Sequence, residues 1–103
     1  MKKPRYTSPA RLDIIEAAAF YDDRSRNLGA DFMAAVERAG WLLFENPVLG
    51  EQYSAEYRAF PLDDFPYSLY YELIDGGGIR VVAVLHHSRG TRFIRSRVRG
   101  ARE

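Results

Sequence analysis

No cysteine occurs among the 103 residues, which excludes disulfides, thiolate metal sites and cysteine nucleophiles together and suits a reducing compartment. Long apolar runs are missing as well. The opening Met1-Lys2-Lys3-Pro4-Arg5 leads into no hydrophobic stretch, and nothing approaches the roughly 20 apolar residues that a membrane-spanning helix needs. The expected location is therefore cytoplasmic, with no membrane partner. Lysine is absent after Lys3 and tyrosine after Tyr71, and the chain carries neither an internal repeat nor a low-complexity segment.

What is present describes an ordinary globular chain. With 47% hydrophobic and 28% charged residues it is neither disordered nor membrane-embedded. At this length, folding removes roughly two thirds of the unfolded surface from water, enough for one modest core. A single domain over residues 1–103 is expected. The net charge is only +1, but residues 1–88 hold nine basic and thirteen acidic side chains, whereas the tail 89–103 holds six arginines and one glutamate. The chain is an acidic body with a basic end.

Ser8-Pro9 reads as an N-cap followed by proline at the first helical position. Leu12, Ile15, Ala18 and Ala19 then fall on one face of a helix, with Arg11, Asp13 and Glu16 mostly off it. After a polar connection at residues 25–27, Leu28, Phe32, Ala35, Val36, Ala39, Leu42 and Leu43 form a second stripe, ended by Glu45-Asn46-Pro47. So short a loop makes the two helices antiparallel neighbours, and the alanines at 18, 19, 35 and 39 predict a close approach. From Glu56 the period becomes that of strands, punctuated by Asp63-Asp64 and by Asp75-Gly76-Gly77-Gly78. Three strands in an antiparallel meander follow, and Lys3 to Thr7 is a candidate short strand. Ile79 to Leu85, apolar almost throughout, predicts a strand covered on both faces. Alternation puts Phe65, Tyr67, Leu69, Tyr71 and Leu73 on one side of their strand with Ser68, Tyr70 and Glu72 on the other. In the next strand it puts Arg80, Val82, Val84 and His86 together, with His87 opposite. The fold class is α+β: an N-terminal helical hairpin packed on a twisted, mainly antiparallel sheet of three to four strands.

Four local patterns occur on these elements: Asn46-Pro47 with Gly50 soon after; Tyr57-Arg58-Ala59-Phe60; Phe65-Pro66-Tyr67-Ser68-Leu69-Tyr70-Tyr71; and Ala83-Val84-Leu85-His86 followed by Arg89. In this order over residues 5–97 the chain resembles the RelE/ParE superfamily of toxins from bacterial type II toxin–antitoxin and plasmid-stabilisation modules. The resemblance implies a small α+β toxin silenced by an antitoxin that wraps around it, as a hetero-oligomer. RelE-like members cut messenger RNA on the ribosome without a metal. ParE-like members inhibit DNA gyrase and are not known to need a catalytic residue. Neither branch implies a cofactor.

Cutting RNA by attack of its 2′-hydroxyl needs a base, a cation for the phosphorane charge and an acid for the departing oxygen. His86 or His87 could exchange protons near neutral pH, and Arg58, Arg80 or Arg89 could hold a phosphate. Yet the RelE-like nucleases tend to carry extra lysines or an acidic base on early strands, an arginine where Ser68 stands, and a tyrosine or histidine near the chain end. Most of that constellation is missing here, and the Phe65-to-Tyr71 segment resembles ParE-like members. His86 can equally be a structural histidine, the tyrosines packing groups, and Arg58 a partner of Asp64 or Glu72. The tail is too basic to be buried and, with Phe93, Ile94 and Val98, too apolar to be only solvated, although chain ends are often disordered.

These residues favour a ParE-like toxin that acts by binding, with Arg58, His86, Arg89, Arg92, Phe93, Arg95 and Arg97 as its target-binding set and no catalytic or metal-binding residue. A basic surface with an aromatic anchor suits an acidic partner. If the chain is instead a ribosome-dependent nuclease, His86, Arg58 and Arg89 are the catalytic candidates. A third possibility is a divergent member without toxicity that persists as a binding partner.

Overall fold

A computed structural model describes residues 2–101; Arg102, one of the six arginines of the predicted basic tail, lies outside the described residues. The element order is β1 (Arg5–Tyr6), α1 (Ser8–Asp22), α2 (Leu28–Glu45), β2 (Glu51–Gln52), β3 (Arg58–Pro61), β4 (Tyr67–Leu73), β5 (Ile79–His86) and α3 (Thr91–Arg99). The strands form one open five-stranded sheet in the order β1-β5-β4-β3-β2. β1 joins β5 in parallel and every other pairing is antiparallel. The α+β hairpin-on-sheet architecture is as expected, with two differences: the sheet gains the two-residue strand β2, and the tail winds into a helix. None of the helices is long and apolar enough among the described residues to cross a membrane.

Helix α1 starts one residue earlier than the Ser8-Pro9 pattern suggests. Thr7 is the N-cap, with extended backbone, and its hydroxyl accepts a hydrogen bond from Ala10 N–H at 3.2 Å. Ser8 and Pro9 are the first two helical residues, where a missing N–H leaves no helical bond unmade. The buried side of α1 is Ala10, Ala17 and Ala18, with Ile14 and Tyr21 beside them, not the expected Leu12, Ile15, Ala18 and Ala19 stripe. Leu12 and Ile15 are 54% and 60% exposed, and Ala19 faces solvent. Small side chains win the inner face because the helices pack closely. A Cβ at Gly29, on α2, would lie 2.5 Å from Ala18 O, so nothing bulkier than hydrogen fits there. Helix α2 follows its predicted stripe through Phe32, Ala35, Val36, Ala39 and Leu43, but Leu42 is exposed. It ends where Pro47 requires, with Asn46 as C-cap.

Two apolar clusters sandwich the sheet. On the hairpin side Phe32 and Leu43 meet Tyr67, Leu69, Tyr71, Ile79, Val81 and Val84; on the other, Ile94 and Val98 of α3 meet Tyr70, Val82, Ala83 and Leu85. Each fully buried side chain of this size removes enough apolar area to stabilise the fold by roughly 1.5–3 kcal/mol. β5 is thus covered on both faces, as its unbroken apolar run predicts.

Alternation along β5 is interrupted. Tyr71 pairs with Val81 but Tyr70 with Ala83, so Val82 is an extra residue, a β-bulge. The expected grouping of Arg80, Val82, Val84 and His86 on one face is therefore corrected: Val82 joins the α3 side and Val84 the hairpin side. Arg80 binds Glu72 at 2.9 Å. A one-residue insertion reverses every side chain beyond it.

Candidate functional site

The end of β5 turns sharply into the arginine-bearing segment. Arg89 N–H donates to His86 O at 3.1 Å, and His87 N–H to Pro66 O at 2.8 Å. His86 Nδ1 accepts from Ser88 N–H at 2.9 Å, and its ring meets the Tyr67 ring edge-on with centroids 5.0 Å apart. His87 points the other way, its Nε2 lying 2.8 Å from the Ser68 hydroxyl. The two histidines thus occupy opposite sides, as alternation predicts, each with its own partner.

From Thr91 the chain is helical, and spacing assigns the roles of the arginines. Ile94, Val98 and Ala101, at i, i+4 and i+7, face the sheet. Arg92, Arg95 and Arg99, at i, i+3 and i+7, form a row on the exposed side. Among the described residues the ion pairs are Arg80–Glu72 and Arg97–Asp13, so this row faces solvent without a carboxylate partner. The guanidinium of Arg89 stacks over the Phe93 ring, 3.8 Å from its centroid. Arg95 and Arg99 also border a groove of about 370 Å³ whose far wall is the segment from Tyr53 to Tyr57.

Arg97 turns inward. Its Nη1 and Nη2 donate to the two carboxylate oxygens of Asp13 at 3.0 and 2.8 Å, and Asp13 Oδ2 also accepts from Val84 N–H at 3.0 Å. Asp13 thereby caps the edge of β5 beyond the short strand β1 and ties α3 to α1 around that edge. The same hydrogen bonds hold the Arg97 guanidinium above its usual range, against the opposing effect of burial.

Arg58 also lies apart from the cluster. Its guanidinium donates to Gly50 O at 2.7 Å and Val48 O at 3.3 Å, not to Asp64 or Glu72. It holds the loop after α2 together with Tyr71, whose hydroxyl donates to Pro47 O at 2.8 Å and accepts from Gly50 N–H at 2.9 Å. Burial raises the Tyr71 phenol above its ordinary range, while the Gly50 bond and Arg58 pull the other way. Arg58 pairs with Tyr71 and His86 with Tyr67, so about 13 Å of strand separates them at ~3.3 Å per residue. His86, Arg89 and Phe93 lie at one end of the sheet, His86 against Tyr67 on the hairpin side and Arg89 over Phe93 on the α3 side; Arg92 and Arg95 line the adjoining helix face, and Arg58 and Arg97 do not join them. Sequence reasoning overlooked Asp13, Tyr71 and Tyr67, whose partners are remote in the chain. Among the described residues no group of three histidine or acidic side chains gathers to hold a metal ion.

A helical hairpin across an open, mainly antiparallel sheet, with a cationic helix on the far face, defines the class of the chain as a small α+β protein. The family described as "ParE toxin of type II toxin-antitoxin system, parDE" matches residues 5–90, and the chain belongs to that family. Helix α3 lies just beyond the matched stretch. Among solved structures, the chromosomal ParDE toxin–antitoxin system from P. aeruginosa contains a similar chain, with a TM-score of 0.60 and 16% identity over 84% of this chain and 96% of that one. That similarity is one of fold. No curated protein matches.

Proposed function

We propose that this chain inhibits DNA gyrase by binding, through the end of the sheet that carries His86, Arg89 and Phe93 and the exposed arginine row of α3. The observation that carries this reading is the sorting of the arginines. Arg97 is neutralised internally by Asp13, whereas Arg89, stacked on the Phe93 ring, and Arg92, Arg95 and Arg99 stay outside. Fixed cations presented on a rigid helix favour a negatively charged macromolecular target by steering and by burial of the aromatic anchor. Family membership supplies the expectation of toxicity. The roughly 13 Å of strand between the levels of Arg58 and His86 counts against the compact nuclease site that the rival function needs.

The test is a supercoiling assay with purified gyrase. Wild-type chain should inhibit it, and Arg89→Ala with Arg95→Ala should raise the half-inhibiting concentration by about 100-fold, two lost contacts at roughly tenfold each, with the fold intact by circular dichroism. Cleavage of messenger RNA in a cell-free translation mixture, lost on His86→Ala, would instead establish the nuclease. Normal growth of cells expressing the chain alone would favour the non-toxic relative.

A cognate antitoxin fits the hairpin. A groove of about 430 Å³ runs between α1 and α2, lined by Tyr6, Ile14, Ile15, Met33 and Val36, with Arg11 and Glu37 at its edges. Ile15 and Met33 are 60% and 49% exposed, an apolar strip suited to an amphipathic helix. Ile15→Glu with Met33→Glu should leave the fold and toxicity unchanged and abolish rescue by the co-expressed antitoxin; rescue of that variant would move the antitoxin to another face, such as the β2 edge.

A further inference from the structure

Both lysines of the chain stand with Arg5 around the β4–β5 turn, the end of β5 away from His86. There they line a depression of about 390 Å³, whose other walls include Phe44, Asp75 and the turn glycines. Gly76, Gly77 and Gly78 all have positive φ, at 86°, 99° and 102°, a region closed to most side chains. A two-residue turn would close a hairpin at lower entropic cost. Nor are Gly76 and Gly77 there to admit a neighbouring side chain, since a Cβ at either would meet nothing within 4 Å.

The turn leaves donors and charge facing outward. Gly77 N–H donates to Ile74 O and Ile74 N–H to Gly78 O, each at 3.0 Å. The N–H groups of Gly76 and Gly78 have no acceptor among the described residues. Lys2 Nζ donates to Gly76 O at 2.9 Å, which fixes the amino-terminal arm over the turn. Lys2, Lys3 and Arg5 have no ion-pair partner among the described residues, and Asp75 is the one acid in the lining. Three cations gathered this way repel one another, and a bound anion relieves the repulsion.

We propose that this depression binds a phosphate group, of a free nucleotide or of a nucleic-acid backbone. Lys2, Lys3 and Arg5 supply the charge, and the open amides of the glycine turn supply directed donors. The side chains of α3, at the other sheet face, take no part, so the site stands or falls separately from gyrase inhibition.

The test is a nitrogen–proton correlation spectrum of the full-length chain titrated with inorganic pyrophosphate and, separately, with a short single-stranded oligodeoxynucleotide. Saturable shifts of the Gly76 and Gly78 amides are expected, with the amides of Arg92 to Arg99 unmoved by pyrophosphate. Lys3→Gln with Arg5→Gln should weaken binding by about 100-fold, roughly tenfold for each lost charge-assisted contact. Lys2→Gln, which leaves β1 untouched, should weaken it by about tenfold and guards against misfolding of the double variant. Tighter, steeply salt-dependent binding of the oligonucleotide would identify a nucleic-acid backbone as the source; equal binding of both would identify free phosphates. Absence of saturable shifts at the turn, or shifts of equal size in the variants, would overturn the proposal.

Discussion

Asp13 joins three elements through one carboxylate: it sits on α1, accepts from the β5 backbone and forks with Arg97 of α3. At 11% side-chain exposure its charge is largely removed from water, so taking away either partner leaves the other uncompensated. Asp13→Asn should lower the unfolding free energy by about 2–3 kcal/mol, the loss of a partly buried pair, measured by urea denaturation. Adding Arg97→Met to Asp13→Asn should recover part of that loss, because the second charge is then removed instead of stranded. Tyr71→Phe keeps the ring but leaves Pro47 O and Gly50 N–H without their partner, at about 1–3 kcal/mol. Neither role is legible in the sequence. Asp13 looks like any solvent-facing acid on a helix, and its partner lies 84 residues away. Tyr71 is read correctly as facing the core, but its hydroxyl partners come from the loop after α2, which no periodicity describes. The hydrogen bonds of Arg58 to that same loop are hidden for the same reason.

Elements were legible where one period ran unbroken, and obscure where a local irregularity or strong charge masked it. Helix α2, with bulky groups at Phe32, Val36 and Leu43, announces its inner face. α1 does not, because its contact with α2 is close and its alanines take the inside, turning Leu12 and Ile15 out. The β5 bulge at Val82 is invisible to strict alternation, and it alone moves Val82 to the opposite face from Val84. Helix α3 was masked by its arginines, although Ile94, Val98 and Ala101 carry a helical period. That helix is only nine residues long, below the length at which isolated helices persist, so it depends on its seat. Val98→Asp should unseat it without unfolding the rest. Hydrogen exchange should then show residues 91–99 losing protection while β4 and β5 keep theirs; global unfolding instead would show α3 to be part of the cooperative core. The same variant should lose the gyrase inhibition proposed above in step with helix exposure, since the arginine row exists only while α3 is wound.

Across the whole molecule the sheet separates two apolar layers, and all seven tyrosines are built into or against them. Burial raises the phenols of Tyr6, Tyr21, Tyr67, Tyr70 and Tyr71 above their usual range in each case. Arg11, Arg24, Arg89 and Arg58 partly offset the effect at Tyr6, Tyr21, Tyr67 and Tyr71. A phenol that keeps its proton longer when folded binds more protons in the native than in the unfolded state, so stability must fall as pH rises. The loss begins where unfolded tyrosine ionises, near pH 10, and continues through the higher folded-state range. Thermal melts should therefore drop steeply above about pH 10, with tyrosinate absorbance appearing together with the unfolding signal. Tyr67→Phe with Tyr70→Phe removes two of these groups while retaining their rings, and should flatten the alkaline decline. An unchanged slope in that variant would mean that the two phenols ionise alike in the folded and unfolded chains, and that the aromatic layers admit more water than their packing implies.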